Sequence, residues 1–362
     1  MTTTTIFPGR YAQGRNALSL LAEETRRFAQ KALIIVDPAV TSILEKHLPA
    51  SQGVTLVPAP FGGECCDEEI ARLTAAAKDQ RAGAIVGMGG GKALDTAKAV
   101  AHGLGLPVII IPTLASTDAP CSALSVIYTA GGAFKRYLVL PRNPDLVLVD
   151  SEVILNAPAR FLVSGMGDAL STWFEAEDCR ISGAANMTGR PGGMTAFGLA
   201  RLCFDALMAD GVDALAAMER KEVDPALERV IEANTLLSGL GFESGGLSGA
   251  HAIHNGLTVL PQTHASWHGE KVAIGTLSLI MLTGRPKELV DKTFAFCQAV
   301  GLPLCLADIG LADPSDEELM RVAEAACAPG ETIHNIKGGV TPERVFEAIK
   351  AADAEGRRRK GA

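Results

Sequence analysis

The feature that most constrains this chain is an alternation running through its first 150 residues. The apolar run 31–37 stops on Asp37, just before Pro38, and further runs rich in Val, Ile and Leu follow at 54–57, 84–86, 108–111 and 146–149. Stretches with helical spacing precede or separate them at about 17–30, 39–48, 67–80 and 92–102. Short, almost continuously apolar strands spaced by helices of about 10 to 15 residues imply a parallel sheet covered on both faces, an architecture suited to nucleotides. Between 122 and 149 the period becomes that of a hairpin, with strands at 123–128 and 136–140 about a turn at 129–132. From Pro158 onward no strand is legible. Runs at 161–181, 225–242 and 268–282 have helical spacing, with Gly, Pro and Asp at their joints. The expectation is α/β plus all-α: a Rossmann-like parallel-sheet nucleotide-binding domain over 1–157, then a helical domain over 158–362.

Charge and composition remove whole classes of function. Lys plus Arg is 33 against 41 Asp plus Glu, a net charge of −8, which argues against binding a phosphate backbone, so no nucleic-acid partner is expected. The only basic cluster, Arg357, Arg358, Arg359 and Lys360, reads as a solvated tail. No run of about 18 uncharged apolar residues exists to span a membrane. The first residues lack the basic start, apolar core and cleavage site of a signal peptide, so a cytoplasmic protein is expected. The eight cysteines are scattered without a CxxC pair and read as buried or reduced thiols, leaving any metal to other ligands.

Two constellations could carry chemistry. Gly87 to Lys92 is a Gly-rich turn that follows a predicted strand and opens a predicted helix continuing through Asp95. Its glycines let backbone approach a ligand, and the free N–H groups of the helix start favour a pyrophosphate. The run matches neither a dinucleotide GxGxxG, because Lys92 occupies the third glycine position, nor a Walker A loop. Asp37, at the carboxyl end of an early strand, is placed either to accept from ribose hydroxyls and repel a 2′-phosphate, favouring NAD over NADP, or merely to end a strand at an Asp-Pro turn.

The second constellation is imidazole-rich. Four of the seven histidines, His251, His254, His264 and His268, fall within 18 residues. His251 and His254 lie roughly 60° apart on one helical face, while His268 opens a new run. Two histidines with one carboxylate would leave a metal coordination position open to substrate, the composition of a catalytic site. The candidate carboxylate is Asp168, near the start of the predicted helix from 161, with Glu175, Glu177 and Asp178 as rivals that spacing does not separate.

The segments GGGKALDTAK at 89–98, TLASTDAP at 113–120, GDAL at 167–170, HAIHNG at 251–256 and HGEKVA at 268–273 resemble the iron-containing, or group III, alcohol dehydrogenases. Similarity at 115–128, 233–239 and 330–335 extends the likeness over essentially the whole chain. The resemblance implies a dehydroquinate synthase-like architecture: NAD held by the first domain, one divalent metal by the second, and a cleft between them. It implies oxidation of glycerol to dihydroxyacetone, and of related vicinal diols, by metal-assisted hydride transfer.

Carried over by position, the metal ligands would be Asp168, His251 and His268, with zinc favoured over iron and with His254 and His264 behind the ligands or lining the pocket. Many iron-type relatives carry a further histidine where this chain has Thr172, which supports the zinc reading. Asp118 matches the substrate-contacting acid. Asp37, Gly89, Gly90, Gly91, Lys92, Asp95, Thr113, Ser116, Ser122, Leu124 and Tyr128 fall at the cofactor side. The same likeness implies a homo-oligomer, often an octamer. Related dehydrogenases acting on 1,2-propanediol or on a phosphorylated polyol such as glycerol 1-phosphate are the alternatives, and a catalytically silent nucleotide-binding protein is the more distant one.

Overall fold

A computed structural model describes residues 2–47 and 53–361. Strands β1 (Tyr11–Gly14), β2 (Lys31–Val36), β3 (Thr55–Pro60), β4 (Ala84–Gly89), β5 (Val108–Pro112), β6 (Leu124–Tyr128), β7 (Phe134–Val139) and β8 (Leu146–Asp150) all lie in the first half. Six form one parallel sheet in the order β1-β8-β5-β4-β2-β3, and β6 with β7 forms a separate antiparallel hairpin. Helices α1 (Leu21–Arg26), α2 (Thr41–His47), α3 (Asp67–Asp79) and α4 (Gly91–Leu104) connect the strands. The helical half holds α5 (Ser151–Leu155), α6 (Ala159–Ser182), α7 (Met194–Arg220), α8 (Pro225–Glu232), α9 (Ser238–Gly245), α10 (Gly249–Leu257), α11 (His268–Leu282), α12 (Lys287–Val300), α13 (Asp316–Ala326) and α14 (Pro342–Lys360). The proposed division at 157/158 falls in the link between α5 and α6.

The sheet is apolar on both faces because strands flanked by parallel neighbours have no wet side. Ile34, Val36, Val86, Met88, Ile109 and Ile111 pack on one face with Leu18, Leu21 and Leu44. Leu33, Ile35, Ile85, Ile110, Val147 and Val149 face the other way, in a core that continues without a break into Met166, Leu170, Phe174 and Phe204 of the helical half. That shared core sets the carboxyl ends of the strands against α6. The chain runs outward from β2 to β3, then returns past β2 to β4 and on to β5, so its direction reverses between β2 and β4. A crevice at such a reversal is where open α/β sheets bind ligands.

The structure corrects several sequence expectations. β1 was not expected: it is four residues long, half-exposed and Gly-ended, and only its pairing with β8 makes it a strand. The helical stretch expected at 17–30 is a 3-10 turn at Ala17–Leu20 followed by α1, which stops at Arg26. The run expected to end at Leu48 is α2, and Leu48 lies outside the described residues. The region 225–242 is α8 and α9 joined by a π-helical turn, Ala233–Leu237. The C-terminal basic cluster is no solvated tail. It is the last turn of α14, where Arg357 pairs with Asp353, Arg358 with Glu355, Arg359 with Asp291 and Glu355, and Lys360 with Asp308. Four cations at a helix carboxyl end also complement its dipole. No described helix is long and apolar enough to cross a membrane, and all eight cysteines are free thiols.

Candidate metal centre and nucleotide cleft

The sheet order resolves why Asp37 precedes the glycine turn by some 50 residues. β2 and β4 are neighbours, so Asp37 at the end of one stands beside Gly89 at the end of the other, with the Asp37 N–H donating to Met88 O (2.9 Å). A Cβ on Gly89 would lie 2.8 Å from Asp37 Cβ, and its φ of +153° is one that side chains avoid, so only glycine fits. Gly90 caps α4, and the first N–H groups of a helix favour an anion. Asp37 Oδ1 also accepts from Ala39 N–H (3.0 Å), so it ends its strand at an Asp-Pro turn.

Around this crevice the other expected cofactor residues fall into two groups. Thr113 N–H donates to Gly89 O (3.0 Å), and Ser116, Ser122, Leu124 and Tyr128 follow along the loop and hairpin beside α4. Lys92 pairs with Glu64 (2.6 Å) and lies 4.9 Å over the Tyr128 ring. Asp95 is different: it is buried, pairs with Lys98 (2.8 Å) and accepts from Val126 N–H (2.9 Å). It supports the hairpin and does not line the crevice. Lys98, which the sequence left unremarked, is fully buried, with its Nζ donating to Ala119 O (3.0 Å) and Leu124 O. The sequence signal for it was the spacing of Asp95 and Lys98, three apart on one face of a largely apolar helix.

Across the crevice the structure brings Asp168, His251 and His268 together. His251 Nε2 is 3.4 Å and His268 Nε2 3.3 Å from Asp168 Oδ1, and the three ligand atoms lie within 4.8 Å of one another. Ligands about 2.1 Å from a tetrahedral ion stand about 3.4 Å apart. Asp168 Oδ1 is buried and accepts no hydrogen bond, an orphan that a cation would satisfy. Burial alone would raise the Asp168 pKa, but His268 and His251 hold it far below the usual carboxylate range. The residues present therefore fit a divalent metal.

Close helix crossings make this geometry. α11 approaches α6 so tightly that a Cβ on Gly269 would sit 1.7 Å from Ser164 O, and one on Gly167 would sit 2.3 Å from Gly269 O. Likewise a Cβ on Gly275 would meet Ala250 O at 2.2 Å, where α11 crosses α10. The glycine before Asp168 and the one after His268 are thus the contact that sets those ligands side by side. Contrary to expectation, Asp168 is in the middle of α6, 1% exposed, and caps nothing.

A second layer fixes which imidazole nitrogen faces the site. Glu175, two turns beyond Asp168, is fully buried and accepts from His251 Nδ1 (2.6 Å), which leaves Nε2 as the nitrogen toward Asp168, the one a metal would take. Burial would lower the His251 pKa, but the Glu175 and Asp168 carboxylates outweigh it and raise it. On the other side Asn255 commits its amide nitrogen to Glu331 (3.0 Å), so its Oδ1 accepts from His254 Nδ1 (3.1 Å). His254 Nε2 then accepts from His268 Nδ1 (3.0 Å), and the His268 Nε2 lone pair also faces Asp168. Tyr137 of the hairpin is half exposed. Burial and the Glu331 carboxylate raise its pKa above the ordinary phenol value.

The rival acids are thereby separated. Glu175 stands behind His251, while Glu177 and Asp178 pair with Arg285. His264 is a correction: it is exposed on a loop, against Thr258 O (3.0 Å), and outside the cluster. The spacing 168 to 175 was a legible signal for Glu175, since both positions fall on one helical face. Glu175→Gln is expected to weaken metal affinity by about 10- to 100-fold in a competition titration against a chromogenic chelator. Unaltered affinity would remove Glu175 from this role.

Asp118 lies at the junction. Its N–H donates to Asp168 Oδ2 (3.3 Å), and its carboxylate accepts from Ser238 Oγ (2.7 Å). Burial and then the Asp168 charge push its pKa well up.

The site therefore defines a class in which a nucleotide crevice faces a two-histidine, one-carboxylate metal centre. Residues 8–151 match the iron-containing alcohol dehydrogenase family. Over 362 residues, 99% of this chain and 99% of the relative, the chain is 59% identical to a glycerol dehydrogenase of Thermotoga maritima. It is 51% identical over 354 residues to a glycerol dehydrogenase of Escherichia coli O6:H1, covering 97% of this chain and 96% of that one. The crystal structure of a probable glycerol dehydrogenase from Sinorhizobium meliloti 1021 has a TM-score of 0.93 at 45% identity, covering 99% of this chain and 100% of the other. This chain belongs to the iron-containing alcohol dehydrogenase family.

Proposed function

We propose that the protein oxidises the secondary hydroxyl of glycerol to dihydroxyacetone with NAD⁺, using one divalent metal, zinc in preference to iron. The observation that carries this reading is Asp118, whose carboxylate is held within the same hydrogen-bonded group as the metal carboxylate Asp168. A single hydroxyl needs only the metal side of the site. A neighbouring hydroxyl needs an acceptor, and Asp118 provides it.

Asp168, His251 and His268 would hold the metal, which when bound supplies a Lewis acid for the charge growing on the substrate oxygen. The nicotinamide ring supplies the hydride acceptor. The chain's own part is orientation. Glu175 and the Glu331-Asn255-His254 chain present both imidazole lone pairs, and Asp118 grips the second hydroxyl. The 3.3 and 3.4 Å edges to Asp168 Oδ1 fit a tetrahedral ion bound at about 2.1 Å, the geometry zinc adopts. Thr172 points away from the ligand set, toward Ser238. A phosphorylated polyol is disfavoured because Lys271, the only lysine in the metal-site segments, spends its Nζ on Ser266 O (3.2 Å).

NADH formation should be followed with glycerol, 1,2-propanediol and glycerol phosphate, before and after chelation and with zinc or iron restored. Turnover of the two unphosphorylated diols, lost on chelation and recovered best with zinc, is the expected result. Turnover only with the phosphate ester, or turnover indifferent to chelation, would overturn the reading. We also read the chain as a homo-oligomer, up to an octamer, a reading supported by exposed apolar side chains such as Met194 (89% exposed), and light scattering tests it. Asp37→Ser should narrow the preference for NAD⁺ over NADP⁺ by about tenfold, since a carboxylate beside the ribose repels a 2′-phosphate. An unmoved ratio of kcat/KM values would leave Asp37 as a turn residue only.

A further inference from the structure

We infer that Thr172 and Ser238 form a hydroxyl relay that positions the Asp118 carboxylate, and that this relay sets the selection of vicinal diols over simple alcohols. The inference rests on the glycerol reading above and adds to it the residues on which its specificity depends.

The proton order follows from the donors available. Ser238 Oγ donates to Asp118 Oδ2 (2.7 Å). A hydroxyl has one proton, so Ser238 must accept at its other contact, with Thr172 Oγ1 at 2.8 Å. The relay therefore runs from Thr172 through Ser238 to Asp118. All three residues are buried, at 0%, 0% and 9% exposure, where an unmade hydrogen bond is expensive. A threonine inside a helix ordinarily returns its proton to the carbonyl four residues back, as Thr25, Thr96, Thr235 and Thr276 do here. Thr172 departs from that habit. The carbonyl it would use, Asp168 O, accepts instead from Ser171 Oγ (2.8 Å).

The surroundings are built to this contact. Thr172 is one turn beyond Asp168 on α6, so one rigid rod carries both the metal carboxylate and the root of the relay. The circuit closes where Asp118 N–H meets Asp168 Oδ2. Ser238 opens α9 directly after the π-helical turn, whose extra residue re-aims the face that follows it. Within the same turn Asn234 Nδ2 holds Ala115 O (3.0 Å), fixing the loop that carries Asp118. Gly241 leaves the room Thr172 needs, since a Cβ there would lie 2.4 Å from Thr172 Cγ2. With Oδ2 engaged, Asp118 keeps Oδ1 in a defined direction for the second hydroxyl of the substrate.

The test compares wild type, Asp118→Ala, Ser238→Ala and the shape-preserving Thr172→Val, each metal-loaded, with glycerol, 1,2-propanediol and 2-propanol. Ser238→Ala is expected to lower the ratio of kcat/KM for glycerol to that for 2-propanol by about 10- to 100-fold, through KM, and Thr172→Val by a smaller factor of about 3 to 10. Metal content and NAD⁺ affinity, measured by elemental analysis and fluorescence titration, should not move. Thr172→Ser should restore the ratio. Equal losses on glycerol and 2-propanol would mean a merely structural role and overturn the relay, as would an unchanged ratio in both variants when Asp118→Ala has lost it. A wild type with no preference for diols would instead bring down the glycerol reading. If Ser238→Ala does not fold, Thr172→Val and its serine rescue decide the matter alone.

Discussion

His268→Ala is expected to lose its metal and to lower kcat/KM by about 10³-fold or more, the equivalent of about 4 kcal/mol of transition-state stabilisation, while NAD⁺ still binds. Removing this imidazole leaves Asp168 and His251 as the only ligands, too few for a catalytic site of this kind. The proposed nucleotide site, Asp37, Gly89 and the start of α4, belongs to the sheet half and not to α10 or α11. Elemental analysis, NADH formation and NAD⁺ fluorescence titration separate the three quantities. His264→Ala is the control, since that side chain lies on an exposed loop outside the cluster and its loss should leave all three in place. Full activity in His268→Ala would refute the ligand assignment.

Metal retention in the wild type should fall with pH, for a reason contained in the same cluster. Burial lowers the His251 pKa, but the Glu175 and Asp168 carboxylates outweigh it and raise it above the ordinary value, which favours a second proton on the ring when no metal is bound. A metal must displace that proton, so each step down in pH favours the competitor. The direction follows from the raised pKa: affinity is lost on acidification and regained as pH rises. A chelator competition run at several pH values reads it directly.

How much of this was legible in the sequence depended on whether a residue acts along one element or between two. Strands β2, β4, β5 and β8 announced themselves because a strand buried on both faces must be apolar throughout. Strand β1 did not, because its strand character comes from β8 and not from its own side chains. Asp168 was found as a residue type, but what separates it from Glu175, Glu177 and Asp178 is the packing of α10 and α11 on α6, which one helix's spacing does not show. Asn234 and Ser238 were hidden for a sharper reason. The π-helical turn at Ala233–Leu237 breaks the 3.6-residue period on which any face assignment depends. Asn255 and Glu331, 76 residues apart, meet only through tertiary packing. The Gly-rich segment 187–193 is covered by the N-terminal segment, with Thr4 N–H donating to Pro191 O (3.2 Å) and Asn186 Nδ2 donating to Thr4 O (3.1 Å).

Gly269→Ala should damage the protein more than any other single methyl group tested at the site. The added carbon would stand 1.7 Å from Ser164 O and 3.0 Å from Asp168 N, both backbone atoms of α6 that no rotamer change can move. α11 must therefore back away from α6 by more than an ångström. Overpacking of this severity costs about 3 kcal/mol or more, and for a chain of this size the unfolding midpoint should drop by about 4 °C or more. The retreat also carries His268 off Asp168, so metal affinity should fall with stability, even though every ligand is still present. Gly103→Ala is the matching control: it lies inside α4 with nothing within 4 Å of the new methyl. There the same substitution should be neutral or stabilise by about 0.5 to 1 kcal/mol, the helix-propensity gain of alanine over glycine. If Gly269→Ala melted like wild type and kept its metal, the helix contact would not be what holds the two ligands together. The position of His268 would then have to be credited to His254 and Asn255 alone.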